Sequence, residues 1–262
     1  MRFEDHNVIV TGAGRGIGEA TARRFAAEGA DVLLISRTEA DVAGVAESIR
    51  GNGGNAWHQA GDVSSSADVE RIVAAAEARW NGRIHVLVNN AGIDHDCRFL
   101  EFPEAEWRHV IGVNLTGPFL CGQRVAKVMA ASGGGAIVHI ASIDALGADG
   151  NQVAYNASKA GLRGLNRTMA MELAEHGIRS TIVNPGYVAT ALTRGYVGDE
   201  MFEYMTTRFA RVPQRRMAEP DEIAAAVAFL ASEDARHITG TELTVDGGTT
   251  ANLYVVETLP SA

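Results

Sequence analysis

Cysteine is scarce in this chain of 262 residues, and its scarcity excludes two ways of stabilising a fold. The two thiols, Cys97 and Cys121, lack the CxxC spacing of redox and zinc motifs, and no cluster of histidines accompanies them. A disulfide framework would need more cysteines at closer spacing. We therefore expect two reduced thiols, no structural disulfide and no metal site.

Positive charge is also in deficit. The sequence has 23 Lys and Arg against 32 Asp and Glu, a formal net charge of -9. Because nucleic acids and anionic bilayers attract basic surfaces, this balance argues against both as partners. No apolar run approaches the ~18 residues of a membrane span, and charged residues follow Met1 where a secretory signal would be apolar. We expect a cytoplasmic location.

What the sequence does contain is a regular alternation of short apolar runs with longer amphipathic segments. Hydrophobic residues make up 46% of the chain, enough to bury one large core. Residues 56–62 are a weaker strand candidate, because His58 and Gln59 interrupt the apolar pattern. The other predicted strands are residues 8–11, 32–36, 86–89, 136–142, 180–184 and 242–245. Repeated βα units of this kind predict an α/β fold on a parallel sheet.

Two long segments in the second half of the chain have the periodicity of helices. They cover residues 104–131 and 152–176. Gly112, Gly117 and Pro118 must kink or locally break the first of them, because glycine is flexible and proline removes a backbone hydrogen bond. The second segment is the better helix of the two.

A glycine cluster follows the first predicted strand, in the run Thr11-Gly12-Ala13-Gly14-Arg15-Gly16-Ile17-Gly18. It opens a segment of helical periodicity. Glycine lets a backbone turn sharply and come close to a pyrophosphate, and the N-terminus of a helix presents unpaired N–H groups to the anion. The usual six-residue fingerprint fails, since Ile17 stands where its third glycine would fall. Alone, the cluster would be compatible with a plain tight turn.

Further motifs along nearly the whole chain match one known family. The matched positions are Thr11, Gly12, Gly16 and Gly18 of TGxxxGxG, the pair Asp62-Val63, the turn Asn89-Asn90-Ala91-Gly92, Pro185-Gly186 followed by Thr190, and Asp246-Gly247-Gly248. Any one of them alone would be an ordinary turn or helix cap. Together they resemble the short-chain dehydrogenase/reductase family. The resemblance implies a single-domain Rossmann fold over residues 1–262, a doubly wound parallel sheet with helices on both faces.

The resemblance also assigns regions and residues. It implies a coenzyme-binding half over about residues 1–92 and a catalytic and substrate half over about residues 93–262, with a flap near 190–212. The implied coenzyme contacts are Gly12, Arg15, Gly16, Ile17, Gly18, Ser36, Arg37, Asp62, Val63, Asn89, Ala91, Gly92, Tyr155, Lys159, Pro185, Gly186, Val188 and Thr190. Family members are commonly tetramers built through the two long helices and the last strand, so we expect a homotetramer.

The charges after the second strand favour NADP(H) over NAD(H). NAD sites place a carboxylate about 20 residues beyond the glycine turn, where it accepts the ribose 2'-hydroxyl, and here that count reaches Ser36. Serine cannot repel a 2'-phosphate, and Arg37 can clamp one, with Arg15 as a second cation. Two alternatives stay open: both arginines are solvated surface residues, or Glu39 and Asp41 weaken the preference.

Tyr155 and Lys159 stand four residues apart on the second long helix, hence on one face. A phenol has an ordinary pKa of about 10, and a neighbouring cation favours its ionised form. Such a pair is usually a surface contact, but the family resemblance makes Tyr155 the general acid/base and Lys159 its partner. It also makes Ser142 the residue that orients the substrate oxygen and Asn114 the support of a proton relay.

These assignments predict an NADP(H)-dependent oxidoreductase that interconverts a ketone and a secondary alcohol by hydride transfer. Alternatives are a 3-oxoacyl thioester reductase, an NAD-dependent alcohol dehydrogenase and a coenzyme-binding regulator without turnover. Candidate substrate contacts are Asp94, His95, Ile143, Asp144, Gln152 and Tyr187. The acidic side chains argue against an anionic substrate, and residues 201–209 read as a short mobile flap that could cover an apolar one. We favour a neutral ketone or hydroxyketone.

Overall fold

A parallel β-sheet organises the structure, a computed structural model that describes residues 1–252 apart from the Leu192 side chain. Within those residues, seven strands pair in the order β3-β2-β1-β4-β5-β6-β7. Their bounds are β1 Asn7–Thr11, β2 Asp31–Ser36, β3 Asn55–Ala60, β4 Val86–Asn89, β5 Gly135–Ile140, β6 Ile178–Pro185 and β7 Glu242–Val245. The predicted parallel sheet is confirmed, including its weaker third strand.

Helices cover both faces of this sheet, as predicted. The α-helices of the described chain are α1 Gly16–Ala27, α2 Glu39–Gly51, α3 Ser66–Arg79, α4 Glu104–Ile111, α5 Gly117–Ala131, α6 Val153–Leu173, α7 Ala191–Val197, α8 Asp199–Thr207 and α9 Pro220–Ala231. Alternate residues of β1 point to opposite cores, because side chains in a strand alternate in direction. Val8 and Val10 pack with α1, α2 and α9, whereas Ile9 packs with α3 and α5.

The strand order reverses beside β1, and this reversal positions the functional site. The chain first moves outward through β2 and β3 and then returns to place β4 on the other side of β1. The connections that follow β1 and β4 therefore leave in opposite directions. A crevice opens at such a point, beyond the carboxyl ends of the strands, and open α/β sheets bind their ligands there.

The long segment of residues 104–131 is not one helix. Helix α4 ends at Ile111, residues Gly112–Thr116 form a π-helical turn, and α5 starts at Gly117. The predicted interruption is confirmed. Its cause differs from a proline kink, because Pro118 lies in the first turn of α5, where a missing N–H costs nothing.

One other prediction needs correction. Strand β5 ends at Ile140, so Ser142 lies in the turn beyond the strand rather than in it, as the N-cap of a short 3₁₀ turn. The segment of the predicted flap near 190–212 contains α7 and α8, and its Phe202, Met205 and Phe209 are buried together in their own small core. Its apolar side chains mainly pack with each other.

Candidate active site

A cleft of about 610 Å³ opens at the carboxyl ends of the strands. It runs from the glycine turn after β1 to the face of α6 that carries Tyr155 and Lys159. Every predicted coenzyme contact except Asn89 lines it, as do the predicted substrate contacts except His95. The sequence motifs, which are far apart in the chain, therefore come together in one cleft.

Glycine is required in the turn after β1 because neighbouring backbone fills the space of a side chain. A Cβ on Gly18 would lie 2.2 Å from the carbonyl oxygen of Gly12, and a Cβ on Gly12 would lie 2.8 Å from Cα of Ala91. Gly12 and Gly16 also have φ angles of +64° and +58°, which favour glycine. The turn can thus present bare N–H groups at the start of α1.

Side-chain hydrogen bonds tie this turn to the turn after β4. The Thr11 hydroxyl accepts from the backbone N–H groups of Asn90 and Ala91 at 3.0 and 3.1 Å. The Asn90 amide donates to the carbonyl oxygens of Thr11 and Gly12 at 2.9 and 3.1 Å. Asn89 points the other way, into the protein, where its amide lies 3.3 Å from Nδ1 of His139. It braces the turn without lining the cleft.

Two arginines border the far end of the cleft, beyond β2. The side chains of Arg15 and Arg37 are exposed and make no hydrogen bond or ion pair within residues 1–252. Asp41 lines the same end, close to Gly14. The Asp62 side chain forms hydrogen bonds within its own loop: Oδ1 accepts from the N–H and the hydroxyl of Ser64 at 2.9 and 2.7 Å.

The turn after β6 closes the cleft on the opposite side. Gly186 donates its N–H to the carbonyl of Val245 at 3.0 Å, and a Cβ on Gly186 would lie 2.8 Å from Cα of Asp246. The Pro-Gly and Asp-Gly-Gly motifs are therefore packed against each other. Thr190 caps α7 by accepting the N–H of Thr193 at 3.2 Å, and both threonines line the cleft.

Tyr155 and Lys159 face the cleft from the same side of α6. The ammonium of Lys159 donates to the carbonyl of Ile140 at 2.8 Å, and its Nζ lies 5.4 Å from the centroid of the Tyr155 ring. Burial lowers the pKa of Lys159 to about 8. Burial also raises the pKa of Tyr155, and the nearby Asp144 raises it further. The expected acidification of the phenol by Lys159 together with a positive nicotinamide ring stays a prediction.

The Ser142 hydroxyl is hydrogen-bonded to Asp144. The hydroxyl donates to Oδ2 of Asp144 at 3.0 Å and accepts the N–H of Asp144 at 3.1 Å. Burial raises the pKa of Asp144, the bond from Ser142 opposes the rise, and the neighbouring Asp149 and Asp94 reinforce it. The Ser142 hydroxyl also interacts with the Tyr155 hydroxyl, which opposes the rise in the pKa of Tyr155.

Asn114 lies in the π-helical turn and does not line the cleft. Its side chain accepts the N–H of Ile93 at 2.9 Å and donates to the Ile93 carbonyl at 2.8 Å, as a strand neighbour would. It also donates to the hydroxyl of Ser158 on α6 at 3.1 Å. Asn114 therefore connects the turn after β4 to the helix that carries Tyr155 and Lys159. π-Turns within helices are frequent at functional sites.

Of the predicted substrate contacts, His95 lies outside the cleft. Its ring packs edge-on against Phe102 and lies 3.6 Å from the Glu106 carboxylate. Other residues contribute to the lining, and Ile93 and Asp149 among them had no signal in the sequence, since they become neighbours only through tertiary folding. Thr193, Tyr196, Val197 and Met205 come from the predicted flap near 190–212.

The comparisons with known proteins agree with this geometry. The family model described as enoyl-(acyl carrier protein) reductase matches residues 12–250. The chain is 41% identical to L-rhamnose 1-dehydrogenase (NAD(P)(+)) of Azotobacter vinelandii, over 97% of this chain and 100% of the relative. It is 42% identical to cis-4-hydroxycyclohexanecarboxylate dehydrogenase of Sinomonas cyclohexanicum, over 95% and 98%. The chain is a member of the short-chain dehydrogenase/reductase family.

Solved structures give the same result for the fold. A short-chain type dehydrogenase/reductase from Mycobacterium marinum superposes with a TM-score of 0.89 at 31% identity, over 95% of this chain and 97% of that one. The Rossmann fold is therefore confirmed. As a short-chain dehydrogenase/reductase, the protein is an enzyme of CH–OH and C=O chemistry that uses a nicotinamide coenzyme.

The cleft fits such a coenzyme by its own features. Glycines at 12, 16 and 18 leave a cradle that side chains would fill, at the N-terminus of α1, where an anion is favoured. Arg15 and Arg37 have no partner among residues 1–252 at one end, and Tyr155 and Lys159 stand at the other. The short-chain dehydrogenase/reductase motifs therefore line one cleft, from the glycine turn to the Tyr155 and Lys159 side chains.

Every helix among residues 1–252 falls short of the length or apolarity that a bilayer span requires. The described residues contain no group of three or more His, Cys, Asp or Glu side chains placed to hold a metal ion. Cys97 and Cys121 are free thiols.

Proposed function

We propose that this short-chain dehydrogenase/reductase is an NADP(H)-dependent enzyme that interconverts a ketone and a secondary alcohol, with Tyr155 as general acid/base. The observation that carries the proposal is the convergence of Ser142, Tyr155 and Lys159 on one end of a cleft whose other end is a glycine turn. A bound nicotinamide would supply or take up the hydride and, when oxidised, would add a positive charge to this end.

The chain's own residues would handle the oxygen and its proton. Tyr155 is protonated in the protein alone because burial raises its pKa, so it can donate its proton to a carbonyl oxygen during reduction. Ser142 would fix that oxygen and polarise it. Lys159 would hold the nicotinamide ribose and, as a cation, stabilise the phenolate left behind. Asn114 would keep α6 and the turn after β4 in register around them.

The NADP(H) preference rests on the electrostatics of the end beyond β2. Arg15 and Arg37 have no protein partner within the described residues, so a 2'-phosphate would provide one. A charge-assisted, bidentate bond from Arg37 would be stronger than any contact from the neutral Ser36. Asp41 at the same end would oppose the phosphate in part. Side-by-side kinetics should give a lower KM for NADPH than for NADH, and equal or reversed values would refute the preference.

A 3-oxoacyl thioester reductase is the second candidate. The chain is 36% identical to 3-oxoacyl-[acyl-carrier-protein] reductase FabG of Escherichia coli, over 95% of this chain and 98% of the relative. The half-buried carboxylates of Asp94 and Asp144 beside Tyr155 distinguish the candidates, because they favour a substrate that donates hydrogen bonds. A 3-oxoacyl chain offers few donors near its reacting carbonyl. We therefore rank a ketone or hydroxyketone first.

The decisive experiment follows absorbance of the reduced nicotinamide with a panel of ketones, alcohols and a 3-oxoacyl thioester. Turnover of the ketones supports the proposal, faster turnover of the thioester supports the second candidate, and coenzyme binding without turnover indicates a regulator. Tyr155→Phe should lower kcat by about 10²-fold or more, as expected for a lost acid/base group. It should leave the coenzyme Kd and the circular dichroism spectrum unchanged. Full activity of this variant would defeat the assignment.

We further propose one catalytic domain over the whole chain and a homotetramer that works in the cytoplasm. Exposed apolar side chains on the two long helical segments support an assembly, namely Trp107, Phe119 and Met171. Light scattering after size exclusion should give four times the 27.7 kDa chain mass. A monomeric mass would contradict the tetramer without affecting the proposed chemistry.

A further inference from the structure

Asp144 is bonded to the proposed substrate-orienting hydroxyl, although the proposed proton transfer does not use it. Its Oδ2 accepts from Ser142 at 3.0 Å, and both residues line the cleft beside Tyr155. Within residues 1–252 its other oxygen, Oδ1, accepts no hydrogen bond, and no Lys, Arg or His forms an ion pair with its carboxylate. Oδ1 is not sealed from solvent, so water can donate to it, and a ligand that displaces this water must bring a donor of its own.

The position of the free oxygen limits which part of a ligand can reach it. Both oxygens are carried by one carbon, so Oδ1 is held close to the atom that would orient the reacting oxygen. A donor on the substrate atom next to the reacting carbon is therefore within reach of Oδ1. That atom would bear a hydroxyl or an amine, since a methyl group cannot donate.

Two further polar atoms of the same cleft lack partners. Oε1 of Gln152 and the hydroxyl of Tyr187 are out of contact with solvent and make no hydrogen bond within the described residues. Asp94, on the facing turn, is half-buried and accepts only the N–H of the adjacent His95, at 2.7 Å. Unsatisfied buried groups are uncommon in native proteins and indicate a missing partner. Most of these groups are acceptors, so the missing partner is rich in donors.

Charge decides between a hydroxyl and an amine. Lys159 already interacts electrostatically with both carboxylates and Arg211 with that of Asp144, and an oxidised nicotinamide would add another positive charge. An ammonium would be repelled by these positive charges. A neutral hydroxyl donates to a carboxylate without that repulsion, whereas an anionic substituent would be repelled by Asp94 and Asp144.

We infer that Asp144 recognises a hydroxyl on the carbon adjacent to the reacting carbon, so that the substrate class is the α-hydroxyketone and its vicinal diol. The inference rests on the proposed function, because it needs a reacting oxygen bound at Ser142 and Tyr155. Asp144 thus has a role in substrate specificity and takes no part in the proton or hydride transfer.

The test compares two ketones that share one carbon skeleton, 3-hydroxy-2-butanone and 2-butanone, with NADPH. The wild type should have a kcat/KM at least about 10-fold higher for the hydroxyketone, as expected for a hydrogen bond to a charged group. The hydroxyl also activates the carbonyl chemically, so the decisive quantity is the ratio of the two kcat/KM values in the variants. Asp144→Ala should lower this ratio about 10-fold or more, and Asp144→Asn by less.

Asp234→Asn is the matched control, since Asp234 is exposed, lies outside the cleft lining and carries the same charge. It should leave the ratio within about 2-fold of the wild type. Unchanged coenzyme fluorescence and circular dichroism would show that the Asp144 variants are folded. An unchanged ratio in Asp144→Ala overturns the inference, as does faster oxidation of 1-amino-2-propanol than of 1,2-propanediol. Absence of turnover with every ketone and alcohol refutes the proposed function instead.

Discussion

At the coenzyme end of the cleft, backbone groups provide most of the surface that a ligand would contact, whereas at the substrate end side chains provide it. The glycine turn and the turn after β4 are tied by hydrogen bonds from Thr11 and Asn90, and these side chains are satisfied within the protein. At the substrate end, Asp144, Gln152 and Tyr187 have atoms that lack partners among residues 1–252. The two turns at the coenzyme end satisfy their own side chains, and the exposed Arg15 and Arg37 await a partner there, whereas at the substrate end the unpaired atoms lie beside the reaction centre.

This contrast teaches where specificity can change at low cost. A contact made by backbone depends on the path of the chain, so altering it disturbs the fold. A contact made by an unpaired side chain can be exchanged while the fold stays intact. One family can therefore keep its coenzyme and vary its substrate.

The strongest test of the contrast exchanges one glycine in each of two helices. In Gly18→Ala the new Cβ would meet the Gly12 carbonyl oxygen at 2.2 Å, whereas Gly44 in α2 has nothing within 4 Å. We expect Gly18→Ala to raise the coenzyme Kd about 100-fold or more and to lower the melting temperature. Gly44→Ala should bind coenzyme normally and gain about 0.5–1 kcal/mol of stability. Equal coenzyme affinities, measured by fluorescence titration, would show that backbone approach is unimportant.

A smaller effect is expected where the coenzyme end does use side chains. Removing the guanidinium in Arg37→Ala should raise the KM for NADPH about 30-fold and change the KM for NADH by less than about 3-fold. Arg98→Ala is the control, because Arg98 is also exposed and lies outside the cleft. Equal losses for both coenzymes would mean that Arg37 does not contact a 2'-phosphate.

A buried histidine extends the comparison to acid pH. Asn89 donates to Nδ1 of His139, whose Nε2 then donates to Ser180, and Ser180 donates to Asn166. This chain requires a neutral ring, and burial lowers the pKa of His139 to about 4. Between pH 6.5 and 4 the unfolded chain binds more protons than the folded one, so stability falls as pH falls.

We expect this histidine to lower the free energy of unfolding by about 3 kcal/mol between pH 7 and pH 4. Urea unfolding from pH 7 to pH 4 measures the slope. His85, whose pKa burial also lowers to about 4, contributes in the same direction. In His139→Gln the slope should become shallower. An identical slope in that variant would place the acid sensitivity elsewhere.

The smallest expected effect concerns the stability that the ligand-free protein loses through the unpaired carboxylates at the substrate end. Burial raises the pKa of Asp94 and of Asp144, so the fold disfavours their charged forms. The charged carboxylates therefore destabilise the ligand-free protein at a pH above their raised pKa values. The effect vanishes at a pH where each carboxyl is protonated in both the folded and the unfolded protein. Asp94→Asn and Asp144→Asn should each raise the melting temperature by roughly 1–3 °C at pH 7.5. Neither should do so at pH 3.5, and a loss of stability at pH 7.5 would refute the contrast.

The sequence predicts the sheet, its helices and the motif-bearing turns because those features depend on local patterns. Alternation in the strands and the glycines at 12, 16 and 18 act over a few residues, and each has one physical explanation. Ser142 is a partial exception, since the apolar pattern continues for two residues after β5 has ended. Strand ends depend on pairing, and β6 pairs with β5 only as far as Ile140.

The substrate end was less predictable because its members meet only in the folded chain. His95 follows Asp94 directly, yet the chain turns its ring towards Phe102 and Glu106. Tyr196 lines the cleft from α7, and no local pattern distinguishes it from a surface tyrosine. The pKa of Tyr155 likewise depends on burial and on Asp144, neither of which the four-residue spacing to Lys159 contains.

The π-helical turn at Gly112–Thr116 also restricts how this chain can change its length. Each residue of an α-helix advances by about 100°, so deleting one residue there would rotate all of α5 by roughly that angle. Cys121 and Val125, now in the core, would swing towards solvent. Losing a single codon at this place would therefore do more harm than most substitutions, whereas loops elsewhere can gain or lose residues freely.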